Sequence, residues 1–334
     1  MNMSYKTIEL IGTIGVYIFA FVFGATIGSF LNVCIYRLPK GESLVKRNSH
    51  CMTCGAEIKR YDLIPILSWI LLKGRCRNCG EPISPRYMIV ESLTALCFLG
   101  VFIKFDVTFG GFVYPILLCL FIASVIVVGF EDFDTQEMSL SVLAVMSLFA
   151  FAEVAYLNFF ANIYVTDFSG VTLSDSIWGM FIISVPLLLI GFVITPIFHT
   201  FLISEDHAAL RKLRRRIKHD TLSENEKSKI QSLITEISER IKSNGPVFGM
   251  GMGDIVLMAA AGLLLGIKAI IVSFMIGAIL AALYAVSVII RRRRNPDFEM
   301  KSFAFGPYLC IGIVTAVFFG NAIANLYLSG LGIN

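Results

Sequence analysis

Eight times in 334 residues the sequence turns apolar for about the length that crosses a bilayer, and nearly all of its charge is left in the gaps. The runs lie at roughly 9–34, 87–105, 111–131, 138–160, 175–203, 251–267, 268–290 and 303–329. With 56% hydrophobic and 16% charged residues and a mean hydropathy of +0.77, the chain is far from a soluble domain, where about a quarter of residues are charged. In lipid every backbone polar group has to be satisfied within its own segment, so runs of this length predict helices. The expected fold is an all-α polytopic membrane protein of about eight transmembrane helices. The sixth run is short and rich in Gly and Ala, and the fourth carries Glu153. The first run is too long for a signal-peptide core and no small-residue cleavage site follows it, so it reads as a permanent helix.

Lys and Arg orient these spans. Ten fall in 37–86, ten in 205–245 and five in 291–301, leaving only Lys6, Lys104 and Lys268 elsewhere. Eight spans put the three rich segments on one face, which the positive-inside rule makes cytoplasmic, with both termini outside. Glu131, Asp132, Asp134 and Asp254 then fall at cytoplasmic helix ends. The net charge of +4 thus reflects topology and contact with anionic inner-leaflet lipid, and no nucleic acid is expected as a partner.

Four of the eight cysteines, Cys34, Cys97, Cys119 and Cys310, lie in apolar runs and behave as small hydrophobes. The others form Cys51-Met-Thr-Cys54 and Cys76-Arg-Asn-Cys79, with 21 residues between the pairs. Two-residue spacing turns both sulfurs of a pair to one side of a tight knuckle, and Gly55 and Gly80 supply the freedom that such a turn wants. Two disulfides or a redox dithiol are the alternatives. A cytoplasmic position disfavours stable disulfides, and four thiolates suit a closed structural Zn²⁺ site. Segment 37–86 has too few apolar residues for its own core, so zinc should hold a small loop-rich module together.

The second constellation is acidic: Glu131-Asp-Phe-Asp-Thr135 ends the third run, and Asp254 opens the sixth within Gly251-Met-Gly-Asp254. Ionisable groups at membrane spans are functional candidates by default, although an acid at the interface alone needs no function. Around Asp254 the alternating Gly249, Gly251 and Gly253 leave bare backbone where an extended peptide could approach. Two carboxylates on different helices at equal depth could share a proton and activate water, as in aspartic proteases. No Asp-Thr-Gly is present, which excludes the soluble pepsin-like template. Of the four histidines, His50, His199, His207 and His219, none has a readable Ser or Cys partner, and no nucleotide-binding glycine loop follows a strand.

Several stretches resemble the type IV prepilin peptidase/N-methyltransferase family, whose members are GxGD membrane peptidases. They are Gly28-Ser-Phe-Leu-Asn-Val-Cys-Ile-Tyr-Arg-Leu-Pro39, Tyr61-Asp-Leu-Ile-Pro-Ile-Leu-Ser-Trp69, Lys73-Gly-Arg-Cys-Arg77, Ile83-Ser-Pro-Arg-Tyr87, Gly251-Met-Gly-Asp254 and Phe305-Gly-Pro-Tyr308. The resemblance implies an inner-membrane aspartic endopeptidase with Asp132 and Asp254 catalytic and Asp134 a companion. Its substrates would be prepilins or type II secretion pseudopilins, cut after Gly at the cytoplasmic face. It also implies N-methylation of the new terminus from S-adenosylmethionine, with Gly74 and Arg75 associated with methyl transfer. The chain departs from the family pattern at Ser139-Leu140, where Pro-Asp is usual, and at Val256, where Lys is common. A further departure is the 121-residue separation of Asp132 from Asp254.

The domain reading is a first transmembrane helix over 1–36, a zinc-binding loop over 37–86 and a membrane peptidase core over 87–334. Within the core, 204–247 is a helical-hairpin insertion. There Ser223-x-x-Glu226 forms a capping box, Ile230, Leu233, Ile234, Ile237 and Ile241 share a stripe, and Leu210, Leu213 and Ile217 form another on the first arm; the arms either pack on each other or dock a partner. Two rival classes remain. A peptidase without methyltransferase activity would resemble preflagellin peptidases, which generally lack the tetracysteine loop. A proton-coupled transporter would carry acids near the bilayer midplane, not at one surface.

Overall fold

A computed structural model describes residues 5–46, 49–105, 112–159, 171–194, 197, 208–215, 217, 224–243, 251–294 and 304–332. Among them the apolar runs are helices: α1 Tyr5–Arg37, α3 Arg86–Lys104, α4 Val113–Thr135, α5 Leu140–Phe159, α6 Leu173–Leu189, α8 Met252–Arg294 and α9 Gly306–Gly330. A short α2, Leu67–Leu71, lies in the loop between α1 and α3, and α7, Glu224–Ser243, lies in the charged segment. Seven of these helices are long and apolar enough to cross a membrane.

The expected sixth and seventh spans form one element, α8, of 43 residues. A straight helix of that length would run about 65 Å, twice the hydrocarbon thickness of roughly 30 Å. It is broken at Gly266, whose φ of 69° and ψ of −179° only glycine adopts readily. The break falls beside the boundary expected from sequence, so the seven apolar helices among the described residues, one of them broken, account for the eight apolar runs.

The chain forms two compact units, Met1–Ile183 with Val256–Asn334, and Ser184–Ile255. In the first, α1 packs along α3, and α4 is central, meeting α1, α3, α5 and α9. Its position shows in its side chains, where Phe121, Ile122, Val125 and Val128 are shut away from solvent. The outer face of α1, with Ile11, Ile14, Ile18 and Phe19 more than 45% exposed, is apolar surface of the kind that lipid covers. Glu153, which weakened the fourth span as a sequence, is wholly buried beside Tyr114, facing the helical interior.

Small residues set the closest crossings. A Cβ on Gly24 or Gly28 of α1 would fall 2.8 Å from Ala95 Cα or 2.7 Å from Glu91 Cα on α3. This four-residue spacing of glycines lets two backbones approach as in membrane helix pairs. Gly179 of α6 meets Gly262 of α8 in the same way, and Gly312 and Gly320 of α9 meet Ser273 and Ala269 of α8.

In the second unit, Leu210, Ile230 and Ile234 are buried together, with Leu213, Ile217 and Ile237 packed against them. Residues 208–215 are helical and pair with α7 through this stripe. Leu233 is 43% exposed and stands off it. Ser223 of the expected capping box lies outside the described residues, as do His199, His207, His219 and Gly249.

Candidate active site and tetracysteine centre

The two cysteine pairs fold into matching knuckles. In each, the first Cys N–H donates to the carbonyl five residues on (Ala56 at 2.9 Å, Glu81 at 2.8 Å), and the glycine four residues on donates back to that Cys carbonyl at 2.9 Å. Gly55 and Gly80 hold φ of 69° and 74°, the left-handed region that closes the turn. Antiparallel bridges His50–Glu57 and Arg75–Pro82 flank the knuckles at the same offset. All four sulfurs, of Cys51, Cys54, Cys76 and Cys79, lie within 4.8 Å of one another, and Cys51 to Cys79 is 3.9 Å. A tetrahedron of about 2.3 Å Zn–S bonds has edges of about 3.8 Å, so the four thiols fit one Zn²⁺. They are free thiols, not disulfides.

The local field already favours a thiolate at one of them. Backbone N–H groups of Cys54 and Thr53 lower the Cys51 thiol to about 6. Cys79 receives a backbone hydrogen bond at Glu81 that favours its charged form, yet desolvation and the crowded neighbouring thiols push it up to about 12. Four thiols this close cannot all ionise without a cation among them. Arg77 braces the module with a bidentate grip on Asp62 at 2.7 and 2.8 Å, and Asn78 donates to Cys54 Sγ at 3.7 Å.

Gly74 and Arg75 stand just before the second knuckle. Gly74 has φ of 65°, and a Cβ there would fall 2.8 Å from the Trp69 ring. Trp69 in turn donates from Nε1 to the Ile83 carbonyl. Gly74 therefore sets the place of an indole, and the Arg75 N–H donates to the Leu72 carbonyl.

The acidic motif closes α4, and its members have separate partners. Asp132, 7% exposed, accepts the backbone N–H of Gly306 at 2.9 Å. Gly306 is the first residue of α9 and Pro307 follows it, so the amide and the positive end of that helix are directed at the carboxylate. A Cβ on Gly306 would fall 2.6 Å from Asp132 Oδ2, which accounts for glycine in Phe305-Gly-Pro-Tyr308. Asp134 instead pairs with Arg86 at 2.6 Å, and Arg86 also lies over the Phe130 ring. Glu131 is fully buried and accepts both the N–H and the hydroxyl of Ser139 at 3.2 Å. Ser139 thus does at the head of α5 what the usual proline could not, since proline has no N–H. Asp254 lies in the first turn of α8, 9% exposed, and belongs to the other unit. Gly251 leaves room beside its Oδ2, where a Cβ would come to 3.5 Å.

Gly306, Arg86 and Trp69 take roles here that their sequence motifs do not reveal. Gly306 and Asp132 are 174 residues apart, and no spacing rule links them.

Residues 22–105 match the Bacterial Peptidase A24 N-terminal domain. The chain is 42% identical over 125 residues to the "Prepilin leader peptidase/N-methyltransferase" of Myxococcus xanthus, a match covering 37% of this chain and 36% of that protein. It is 27% identical over 338 residues to the protein of the same name from Aeromonas salmonicida, covering 92% of both. It is 25% identical over 310 residues to that of Bacillus subtilis, covering 92% of this chain and 96% of the relative. No solved structure matches.

Proposed function

We propose that this chain, as a member of the prepilin leader peptidase/N-methyltransferase family, is a membrane aspartic endopeptidase that also N-methylates its product. It removes the basic leader from type IV prepilins or type II secretion pseudopilins, and the methyl donor is S-adenosylmethionine. The observation that carries the peptidase half is Asp132 at the head of α9, receiving the Gly306 amide. That donor suits Asp132 to work as the carboxylate that takes a proton from the attacking water. Asp254 is the second member of the pair and hands a proton to the scissile carbonyl. The C–N bond after the leader glycine then breaks, and the amine leaves with a proton.

The clustering of Lys and Arg in three segments supports a cytoplasmic position for the tetracysteine module and both acids, which is where a prepilin keeps its leader. Zinc would be held by Cys51, Cys54, Cys76 and Cys79 as a structural ion, since four protein ligands leave no open position. The methyl donor supplies an electrophilic methyl group to the newly exposed amine.

The test is cleavage of a full-length prepilin by membranes containing the chain, followed by mass spectrometry of the product. Wild type should yield mature, methylated pilin. Asp254→Asn should block cleavage yet methylate a pre-cleaved pilin. Unmethylated product from wild type under saturating donor would leave a peptidase alone.

A further inference from the structure

Between the cysteine knuckles and the ends of α1 and α3 that meet the loop lies a cavity of about 700 Å³, reaching from Cys51 and Cys76 to Glu91. Small-molecule sites run from about 300 to 1,000 Å³, so it is large enough for a nucleoside-bearing ligand together with the end of a peptide. Its charge is sorted. Segment 37–86 contains four acids, Glu42, Glu57, Asp62 and Glu81, and all four line the cavity. Of the ten Lys and Arg in that segment only Arg37, Lys59 and Arg77 do so. Asp62 and Arg77 neutralise each other as an ion pair. A segment rich in basic residues thus gathers its acids along this lining, with Glu42, Glu57 and Glu81 at its solvent-exposed rim, the pattern that receives a cationic guest. Tyr36, Trp69 and Tyr87 add aromatic faces, and Tyr36 already carries the Lys40 ammonium 3.4 Å from its ring centroid.

Glu91 is the fifth acid of the lining and differs in kind. It is 8% exposed, at a close crossing where Gly28 of α1 lies against its backbone. Its Oε2 accepts the Ile66 N–H at 2.6 Å. Ile66 holds φ of 64° and ψ of −54°, a conformation strained for a β-branched residue. Asn32 of α1 donates to the Tyr87 carbonyl across the same crossing. The helix crossing and the strained turn together fix one buried carboxylate against the cavity.

We propose that this cavity takes the sulfonium methyl donor beside the new pilin amino terminus, and that Glu91 binds that amine as the catalytic residue of methyl transfer. The proposal rests on the methyltransferase half of the reading above. Both guests are cations, as the sorted acids require. Glu91 first takes a proton from the bound ammonium, which frees the nitrogen lone pair. That pair forms the N–C bond as the S–C bond breaks, the S–C electrons leave on the thioether sulfur, and the proton passes from Glu91 to water. Gly74 acts one step removed, by holding Trp69 in the cavity wall.

The experiment uses the full chain in lipid nanodiscs and measures the affinity of S-adenosylmethionine and of S-adenosylhomocysteine, which lacks the sulfonium charge. Glu57→Lys and Glu42→Lys should each weaken S-adenosylmethionine about tenfold and the neutral-sulfur ligand much less. Zinc content reports that the knuckles remain intact, and Glu42 lies outside them. Glu91→Gln keeps an oxygen to accept the Ile66 N–H. It should bind S-adenosylmethionine within about threefold of wild type while methylation of a pre-cleaved pilin falls about 100-fold, with partial recovery in Glu91→Asp. A wild type that neither binds donor nor methylates would overturn the bifunctional reading and this site together. Normal methylation by Glu91→Gln, or equal weakening of both ligands, would overturn the cavity assignment alone.

Discussion

Asp132 and Asp134 are two residues apart and differ in everything around them. One accepts the first amide of α9, and the other is gripped by Arg86 at the entrance of α3. Asp132→Asn and Asp254→Asn should each lower leader cleavage at least about a thousandfold with the protein still inserted, whereas Asp134→Asn should stay within about tenfold. Single-turnover cleavage decides it, and an inactive Asp134→Asn beside an active Asp132→Asn would reverse the assignment. Gly306→Ala puts a methyl group against the Asp132 carboxylate and should cost about 100-fold in cleavage rate, with KM little changed. At the surface, the Arg77 guanidinium beside Asp62 holds that carboxyl below its ordinary 3.8. The pair's stabilisation is therefore complete above pH 3.8 and fades as pH falls through the lower folded value, so a ¹³C titration of Asp62 should have its midpoint below 3.8. The acids themselves were legible as ionisable groups at the ends of apolar runs. Their partners were not, because Gly306 and Arg86 are brought in by helix packing and carry no local signature.

Among elements, the tetracysteine module was the most legible, because a knuckle is local: four cysteines and two glycines at fixed offsets specify it. Purified protein should carry about one zinc per chain, and Cys51→Ser should lower that content and loosen the loop, as elemental analysis and limited proteolysis would show. Two disulfides and no zinc would sink the assignment. Gly74→Ser should shift the Trp69 fluorescence by displacing the indole. The helix crossings were less legible. Gly24 and Gly28 are four apart, but apolar periodicity reports that a helix is buried and not which neighbour buries it. Gly262→Leu would drive a side chain into the α6 backbone at Gly179, and overpacking of that kind costs about 1–3 kcal/mol, readable as a lowered Tm in detergent. In the sequence the break in α8 shows only as the boundary between two apolar runs at 267–268; the φ of Gly266 shows why the chain turns there.

For the whole molecule, the pattern of long apolar runs with charge confined between them forecast the helical architecture, and the basic segments predict a sidedness that labelling can test. Single cysteines introduced into 37–86 and 291–301, in a chain whose native thiols are accounted for, should resist a membrane-impermeant maleimide in intact cells and react once the inner face is opened. The reverse pattern would invert the topology. What composition could not convey is how late Asp132 meets its donor. Asp132 leaves the ribosome with α4, yet the amide that receives it belongs to α9, 174 residues downstream in the last described helix. A nascent chain therefore carries both aspartates into the bilayer before the first has its donor. With Asp132 in its proposed role, synthesis itself becomes the safety catch: cleavage at the membrane surface waits for α9, and a chain broken short of Gly306 should cut no leader in a cleavage assay.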